Sequence, residues 1–251
     1  MRRSIPRSFL ACVAVIAMSG SVKAQSKTSG FSVHSLSWPP FRAVQVWAPP
    51  AGPGPKHEVL LLLHGNQADS TRLGLLELRN QPGFGDRILI VPALAGPGYD
   101  WGTPATTRAL ASLVDEVVRS FPADAGQVFV MGYSAGASRV LPVALAMHEP
   151  VAGIIALAGD IGRPLRSSTS STATIARTPV LLICNSGDVG PNASCALDAR
   201  NHDLLTARGA RDIEMRRLEA SHAIEFPKLA PVVDEWLRRR HRGPMRATVS
   251  R

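Results

Sequence analysis

Cysteine and aromatic residues are scarce in this sequence. Only 3 of its 251 residues are cysteine, and aromatic side chains make up 5% of the total. The cysteines and the scattered histidines do not fall at the spacing of a zinc site, so we expect no metal. No stripe of basic residues is interleaved with aromatic side chains, which argues against nucleic acid as a partner.

The hydrophobic run near the N-terminus is too short to cross a membrane. It extends from Phe9 to Met18, whereas a spanning helix needs roughly 20 apolar residues. A basic stretch precedes it and the small-residue segment Val22-Lys23-Ala24 follows it, an order typical of a secretory signal peptide. We therefore predict a signal peptide over residues 1–24, a secreted or periplasmic protein, and no stable membrane insertion after cleavage. The alternative is that this segment is not cleaved and is retained as a membrane anchor.

The excess of positive charge is confined to the two ends of the chain. The formal net charge is +9, but four basic residues lie in the signal segment and six arginines lie in the last fourteen residues. Residues 25–237 carry 18 basic and 19 acidic side chains, so the body of the protein is close to neutral. We predict one domain over residues 25–240 and a disordered basic tail over residues 241–251.

The most informative motif is Gly132-Tyr133-Ser134-Ala135-Gly136. It follows the apolar run 128–131 and precedes a helix-like segment over residues 137–147. A G-x-S-x-G motif between a strand and a helix is typical of a sharp turn that exposes a nucleophilic serine. The flanking glycines let the strand and the helix approach closely, because a Cβ at either position would clash. The helix start favours the negative charge that develops during acyl transfer.

Three further features accompany this motif along the chain. An apolar strand ends at His64-Gly65, Asp188 follows a second apolar strand, and His222 lies near the C-terminus. The chain order of serine, acid and histidine resembles that of the α/β-hydrolase family, over about residues 31–240. The resemblance implies an α/β fold with a mostly parallel central sheet of about eight strands and helices on both faces.

The same resemblance implies a role for each of the three residues. Ser134 is expected to be the nucleophile and His222 the general base. Asp188 is expected to accept a hydrogen bond from the histidine, fix its tautomer and stabilise the imidazolium. Asp160 and Asp198 are the alternatives for the acid.

In the hydrolase family the loop after the His64-Gly65 strand supplies one backbone N–H of the oxyanion hole, and the residue after the nucleophile supplies the other. The resemblance therefore assigns these donors to Asn66, with Gln67 as the alternate, and to Ala135. We expect His64 itself to support the loop and not to carry protons.

Three aromatic residues near the predicted site are candidates for substrate contact. Tyr99 and Trp101 lie on the long loop that follows the strand at residues 88–91, and Tyr133 precedes the serine. This loop leaves the carboxyl end of a central strand, where open α/β sheets bind their ligands. The alternative for Tyr99 and Trp101 is that they only cover the core.

Cys184 and Cys195 are the cysteines that remain after signal cleavage. An exported protein meets oxidising conditions, so we hypothesise a disulfide that closes a loop containing Asp188. Two unpaired, buried cysteines are the alternative.

Hydrophobic periodicity predicts the remaining elements. Pro142 lies inside the helix after the nucleophile, where a proline is unfavourable, so we expect a kink or a break there. Residues 163–178 are predicted to form a loop or a short cap. The other predicted elements are two antiparallel edge strands at Phe31–Trp38 and Arg42–Trp47, strands at 59–63, 88–91, 151–158, 179–184 and 213–218, and helices at 71–80, 106–120, 196–208 and 227–240.

These features predict a secreted serine hydrolase that cleaves a small or polymeric carboxylic ester through an acyl-enzyme, without a metal or organic cofactor. In its small size and its short 163–178 insertion, the chain is similar to compact esterases of the carboxylesterase, feruloyl esterase and polyhydroxyalkanoate depolymerase type. The alternatives are a thioesterase or serine peptidase of the same fold, and a non-catalytic secreted binding protein. The acyl and alcohol groups of the substrate and the oligomeric state are left open.

Overall fold

The structure, a computed structural model, describes residues 22–28, 31–50, 52–66, 75–94, 100–166 and 172–240. Residues 22–28, 172 and 173 are described by their backbone alone. The predicted signal peptide up to residue 21 and the predicted tail over residues 241–251 lie outside these ranges.

A nine-stranded sheet is the centre of the described part of the chain, in the order β1-β2-β3-β5-β4-β6-β7-β8-β11. The first three strands pair antiparallel, and the other six strands are parallel to one another, which confirms the mostly parallel sheet. Two short strands form a separate hairpin. The strands are β1 Val22–Thr28, β2 Phe31–Leu36, β3 Phe41–Ala48, β4 His57–Leu63, β5 Ile88–Leu94, β6 Ala123–Tyr133, β7 Gly153–Leu157, β8 Val180–Asn185, β9 Val189–Gly190, β10 Ala193–Ser194 and β11 Ile213–Leu218.

The prediction that the segment from Phe31 lies at the edge of the sheet is wrong. In the structure β1 pairs antiparallel with β2 and becomes the outermost strand. The first three residues of β1 precede the predicted cleavage after Ala24, so the prediction placed part of this strand in the leader. Cleavage after Ala24 would leave the part of β1 that begins at Gln25.

Helices cover both faces of the sheet. Residues 163–166 and 172–175 are helical, so the predicted loop or cap holds two short helices. None of the helices among the described residues is long and apolar enough to span a bilayer. The helices are α1 Pro104–Ser120, α2 Val140–Leu145, α3 Arg163–Arg166, α4 Thr172–Ile175, α5 Cys195–Ala207 and α6 Phe226–Arg240, with 3₁₀ turns at Glu77–Asn80 and Ala137–Arg139.

The helix predicted over residues 71–80 is only partly described. Residues 71–74 lie outside the described ranges, Leu75 and Leu76 are helical, and Glu77–Asn80 form a 3₁₀ turn. The helix predicted over 106–120 begins two residues earlier, because Thr103 caps it: its hydroxyl accepts the N–H of Thr106 at 3.2 Å.

Alternate residues of the buried strands face two separate hydrophobic clusters. Val59 and Leu61 of β4 pack in the cluster that includes α1 and α2, whereas Leu60 and Leu62 pack in the cluster that includes α6. Such a strand is apolar at every position because both faces are covered. This explains why an uninterrupted hydrophobic run predicted β4 correctly.

The segment after Ser134 breaks before Pro142, as expected. A 3₁₀ turn ends at Arg139, and α2 begins at Val140. Pro142 thereby lies in the first turn of α2, where its missing N–H would have no acceptor within the helix. The break allows the proline without loss of a helical hydrogen bond.

Candidate active site

Ser134 lies in a sharp turn between β6 and the 3₁₀ turn that follows. Its φ is +52°, a left-handed conformation that costs a non-glycine residue about 1–3 kcal/mol. A Cβ on Gly132 would lie 2.5 Å from the carbonyl carbon of Gly136, and one on Gly136 would lie 2.7 Å from the carbonyl carbon of Leu63. The close approach that the motif predicted is therefore present, and the serine is held at its apex, half-buried.

The imidazole of His222 lies between Ser134 and Asp188. Its Nδ1 is 2.9 Å from Oδ1 of Asp188, and its Nε2 is 3.2 Å from Oγ of Ser134. A carboxylate only accepts hydrogen bonds, so Nδ1 carries the hydrogen and Nε2 is free to accept the serine proton. The side chain of Asp188 is 6% exposed and that of His222 is 47% exposed. The arrangement therefore joins a buried acid to an imidazole that solvent reaches.

The alternative acids make other contacts. Asp160 forms an ion pair with Nη2 of Arg166. Asp198 accepts a long hydrogen bond of 3.4 Å from Nδ2 of Asn201. Of the three aspartates that the sequence proposed, Asp188 is the one hydrogen-bonded to His222.

The loop after β4 lies against the serine. A Cβ on Gly65 would be 3.3 Å from Cβ of Ser134, so the backbone that leads into Asn66 passes directly beside this serine. Neither the N–H of Asn66 nor that of Ala135 donates to an acceptor among the described residues. The two N–H groups predicted as oxyanion donors thus have no backbone acceptor in this part of the chain, and Gln67 lies outside the described residues.

His64 and Trp101 hold this loop in place. The N–H of Leu94 donates to Nε2 of His64 at 3.2 Å, so Nδ1 carries the hydrogen and donates to the carbonyl of Gly65 at 2.7 Å. Trp101 donates from Nε1 to the carbonyl of His64 at 3.0 Å and is only 2% exposed. Its burial favours the alternative that it covers the core, and Tyr99 lies outside the described residues.

Tyr133 contacts the loop that carries His222. Its hydroxyl donates to the backbone carbonyl of His222, and the two ring centroids lie 5.3 Å apart. Burial raises the pKa of Tyr133 above its ordinary value, and the charge of Asp188 raises it further, so the phenol stays protonated and able to donate. Only 5% of the residue is exposed, which favours a positioning role over the predicted substrate contact. No sequence signal links this tyrosine to a carbonyl 89 positions away.

A second contact that the sequence did not predict joins Asp100 to Arg139. Nε and Nη2 of the arginine donate to the two carboxylate oxygens, each at 2.7 Å, and the N–H of Gly102 donates to Oδ1 at 2.8 Å. Burial alone would raise the pKa of Asp100, but these hydrogen bonds lower it below its ordinary value. The ionised pair ties the loop after β5 to the turn that follows Ser134.

Cys184 and Cys195 form a disulfide, as hypothesised. The bond joins β8 to the first residue of α5 and encloses the hairpin of β9 and β10 together with Asp188. No cluster of three or more histidine, cysteine, aspartate or glutamate side chains suited to a metal occurs within the described ranges.

The chain resembles known hydrolases in sequence and in structure. The model of the phospholipase/carboxylesterase family matches residues 99–235. An S-formylglutathione hydrolase from Agrobacterium tumefaciens superposes with a TM-score of 0.60 at 13% identity, over 87% of this chain and 98% of that one. A carboxylesterase from Mesorhizobium loti gives 0.55 at 20% identity, over 89% and 99%. A fluorophosphonate-binding serine hydrolase from Staphylococcus aureus gives 0.57 at 13% identity, over 88% and 98%.

No curated protein sequence matches the chain. The structural similarities, all at low identity, establish the fold, and the family model covers more than half of the sequence. The chain therefore belongs to the phospholipase/carboxylesterase family of α/β-hydrolases and is a carboxylic ester hydrolase of the serine type.

Proposed function

We propose that the protein cleaves carboxylic esters through a covalent acyl-enzyme on Ser134. The observation that supports this most directly is the imidazole of His222, which lies 3.2 Å from the serine Oγ and 2.9 Å from the carboxylate of Asp188. An imidazole held in this way can remove the serine proton while the buried carboxylate stabilises the imidazolium that forms.

In the first half of the reaction, Nε2 of His222 takes the proton of Ser134 as Oγ bonds to the acyl carbon. The carbonyl oxygen becomes an oxyanion and accepts hydrogen bonds from the N–H groups of Asn66 and Ala135. The intermediate then collapses, the bond to the alcohol oxygen breaks, and the imidazolium gives its proton to the leaving alkoxide. An alcohol departs and the serine ester remains.

In the second half, water repeats the attack. His222 removes a proton from the water as its oxygen bonds to the acyl carbon, and the bond to Oγ breaks. His222 then passes this proton to Oγ of Ser134, so the carboxylic acid leaves and the enzyme is regenerated. No metal or organic cofactor takes part in this proposed sequence.

The direct test replaces the nucleophile and measures hydrolysis of a simple aryl ester. Ser134→Ala is expected to lower kcat/KM by at least about 10⁴-fold, because no other group can form the acyl-enzyme. Ser120→Ala is the matched control, since that serine is exposed at the end of α1 and its hydroxyl donates to the nearby carboxylate of Glu116. Equal activity of the two variants would contradict the proposal.

A second comparison separates the ester proposal from the thioesterase and peptidase alternatives. Matched ester, thioester and amide substrates with the same acyl group differ only in the leaving atom. A higher kcat/KM for the ester supports the proposal, and a higher value for the thioester or the amide would replace it with that activity.

We further propose that the protein is exported. The basic, apolar and small-residue order of residues 1–24 supports this, and so does the disulfide between Cys184 and Cys195, since such bonds persist in oxidising compartments. Mass spectrometry of the protein recovered outside the cytoplasm of an expressing bacterium is expected to find Gln25 at its N-terminus. Recovery of an uncleaved cytoplasmic chain would contradict export.

A further inference from the structure

A group of buried polar side chains lies near the triad acid, where β7 and β8 end. Asp160 follows β7 and is 4% exposed, and Asp198 and Asn201 lie on the first two turns of α5 with 3% and 0% exposure. The side chain of Asp188, at the end of β8, is 6% exposed. Three of these four side chains are carboxylates, which are seldom buried unless they are paired.

The group contains more hydrogen-bond acceptors than donors. Oδ1 of Asp160, Oδ2 of Asp188 and Oδ1 of Asn201 are buried and have no hydrogen-bond partner among the described residues. A buried acceptor without a donor is destabilising, because it has lost its hydrogen bonds to water. A proton held within the group would therefore be stabilising.

The charges around the group identify the carboxyl that holds this proton. Asp160 is paired with Arg166 of α3, and Asp188 is hydrogen-bonded to His222, which follows β11. Asp198 has only the amide of Asn201 as a partner among the described residues, and no cation.

The titration of Asp198 agrees with its contacts. The pKa of Asp198 is raised to about 7, first by burial and then by the charges of Asp160 and Asp188, against the opposing hydrogen bond from Asn201. Asp198 is thus protonated in mild acid and ionised in mild base.

We infer that Asp198 is a positioning residue that acts on His222 through Asp188. When it is protonated, it adds no charge to that of Asp188, the carboxylate hydrogen-bonded to the imidazole. When it is ionised, it adds a second negative charge beside Asp188 and favours the protonated imidazole. The inference rests on the proposed function, because the charge matters only if His222 must be neutral to accept the serine proton.

A shift in the pH dependence follows from this arrangement. The reaction needs the neutral imidazole of His222, and a negative charge beside Asp188 favours the protonated form. Removing the carboxylate should therefore move the acid limb of the profile to lower pH.

The test compares Asp198→Asn with Asp203→Asn, an exposed aspartate on the same helix. In Asp198→Asn the midpoint of the acid limb for aryl ester hydrolysis is expected to fall by about 0.5 pH unit or more, with the plateau within about threefold of the wild-type value. In Asp203→Asn the profile is expected to match that of the wild type. Coinciding profiles for the two variants would overturn the inference.

Infrared spectroscopy of the wild-type protein gives a reading that depends neither on activity nor on the folding of a variant. A buried protonated carboxyl should give a band that disappears near neutral pH, and its absence at pH 5 would overturn the inference. Loss of turnover in Ser134→Ala with coinciding profiles overturns this inference alone. Unchanged turnover in Ser134→Ala overturns the proposed function instead.

Discussion

At the scale of single residues, the conformation of Ser134 depends on its glycine neighbours. The serine has a positive φ, and the two glycines of the motif lie where a Cβ would overlap backbone atoms of β4 and of the turn itself. Only glycine avoids such an overlap without displacing a buried strand. The two glycines, more than the serine between them, therefore fix the backbone path of this turn.

Gly136→Ala is expected to destabilise the protein by about 2–4 kcal/mol, because its Cβ would overlap the carbonyl group of Leu63 in β4. Gly85→Ala is the matched control, since a Cβ there has no atom within 4 Å. Urea unfolding measures both. Equal midpoints for the two variants would show that the turn does not need a glycine at position 136.

Tyr133→Phe separates a positioning role from a substrate contact. The variant keeps the ring and loses the hydrogen bond to the carbonyl of His222, which is worth about 1 kcal/mol. We expect kcat to fall roughly fivefold with KM unchanged. A raised KM with unchanged kcat would instead restore the substrate contact that the sequence predicted.

The raised pKa of Asp198 also predicts how stability depends on pH. The folded protein binds this proton more tightly than the unfolded chain, where the ordinary value of 3.8 applies, so the contribution is complete below about pH 4 and is lost as the pH rises to about 7. Asp198→Asn has no such loss. The free energy of unfolding of the variant minus that of the wild type is therefore expected to be about 2–3 kcal/mol higher at pH 8 than at pH 5. A difference independent of pH would contradict the assignment.

At the scale of elements, the sequence predicted the buried strands best. The runs at β4, β5 and β8 are apolar at nearly every position, because helices cover both faces of the sheet. The break before Pro142 was also predictable, because a missing N–H restricts proline to a first turn. The role of β1 was not, because the first residues of Val22–Thr28 overlap the leader pattern, which hid their pairing with the adjacent β2.

The disulfide ties the segment that holds Asp188 and the β9–β10 hairpin to the core. Cys184 lies one residue before the end of the buried strand β8 and Cys195 begins α5, so the bond closes a short loop around Asp188. Chain-entropy estimates for such a loop give about 2–3 kcal/mol of stabilisation.

Reducing agent is therefore expected to lower the Tm of the wild-type protein. The double variant Cys184→Ala/Cys195→Ala should unfold at a lower temperature than the wild type, and its Tm should not change when reducing agent is added. Thermal unfolding with and without dithiothreitol makes the comparison. A wild-type Tm insensitive to complete reduction, verified by thiol counting, would show that the bond does not stabilise this loop.

At the scale of the whole molecule, the parallel sheet brings the site together. Ser134, Asp188 and His222 follow β6, β8 and β11, whose carboxyl ends lie at the same edge. The chain order of these residues was sufficient to predict that they meet. The supporting contacts, such as Arg139 on Asp100, were not predictable, because each joins loops whose paths depend on the complete fold.

A fluorophosphonate adduct is the most direct test of the central claim, that Ser134 is a nucleophile activated by His222. After reaction with the probe, intact and peptide mass spectrometry of the folded wild-type protein should find one adduct, on Ser134, and none in Ser134→Ala. His222→Ala should label far more slowly. A folded wild-type protein that stays unlabelled, or that carries its adduct on another residue, would contradict the claim.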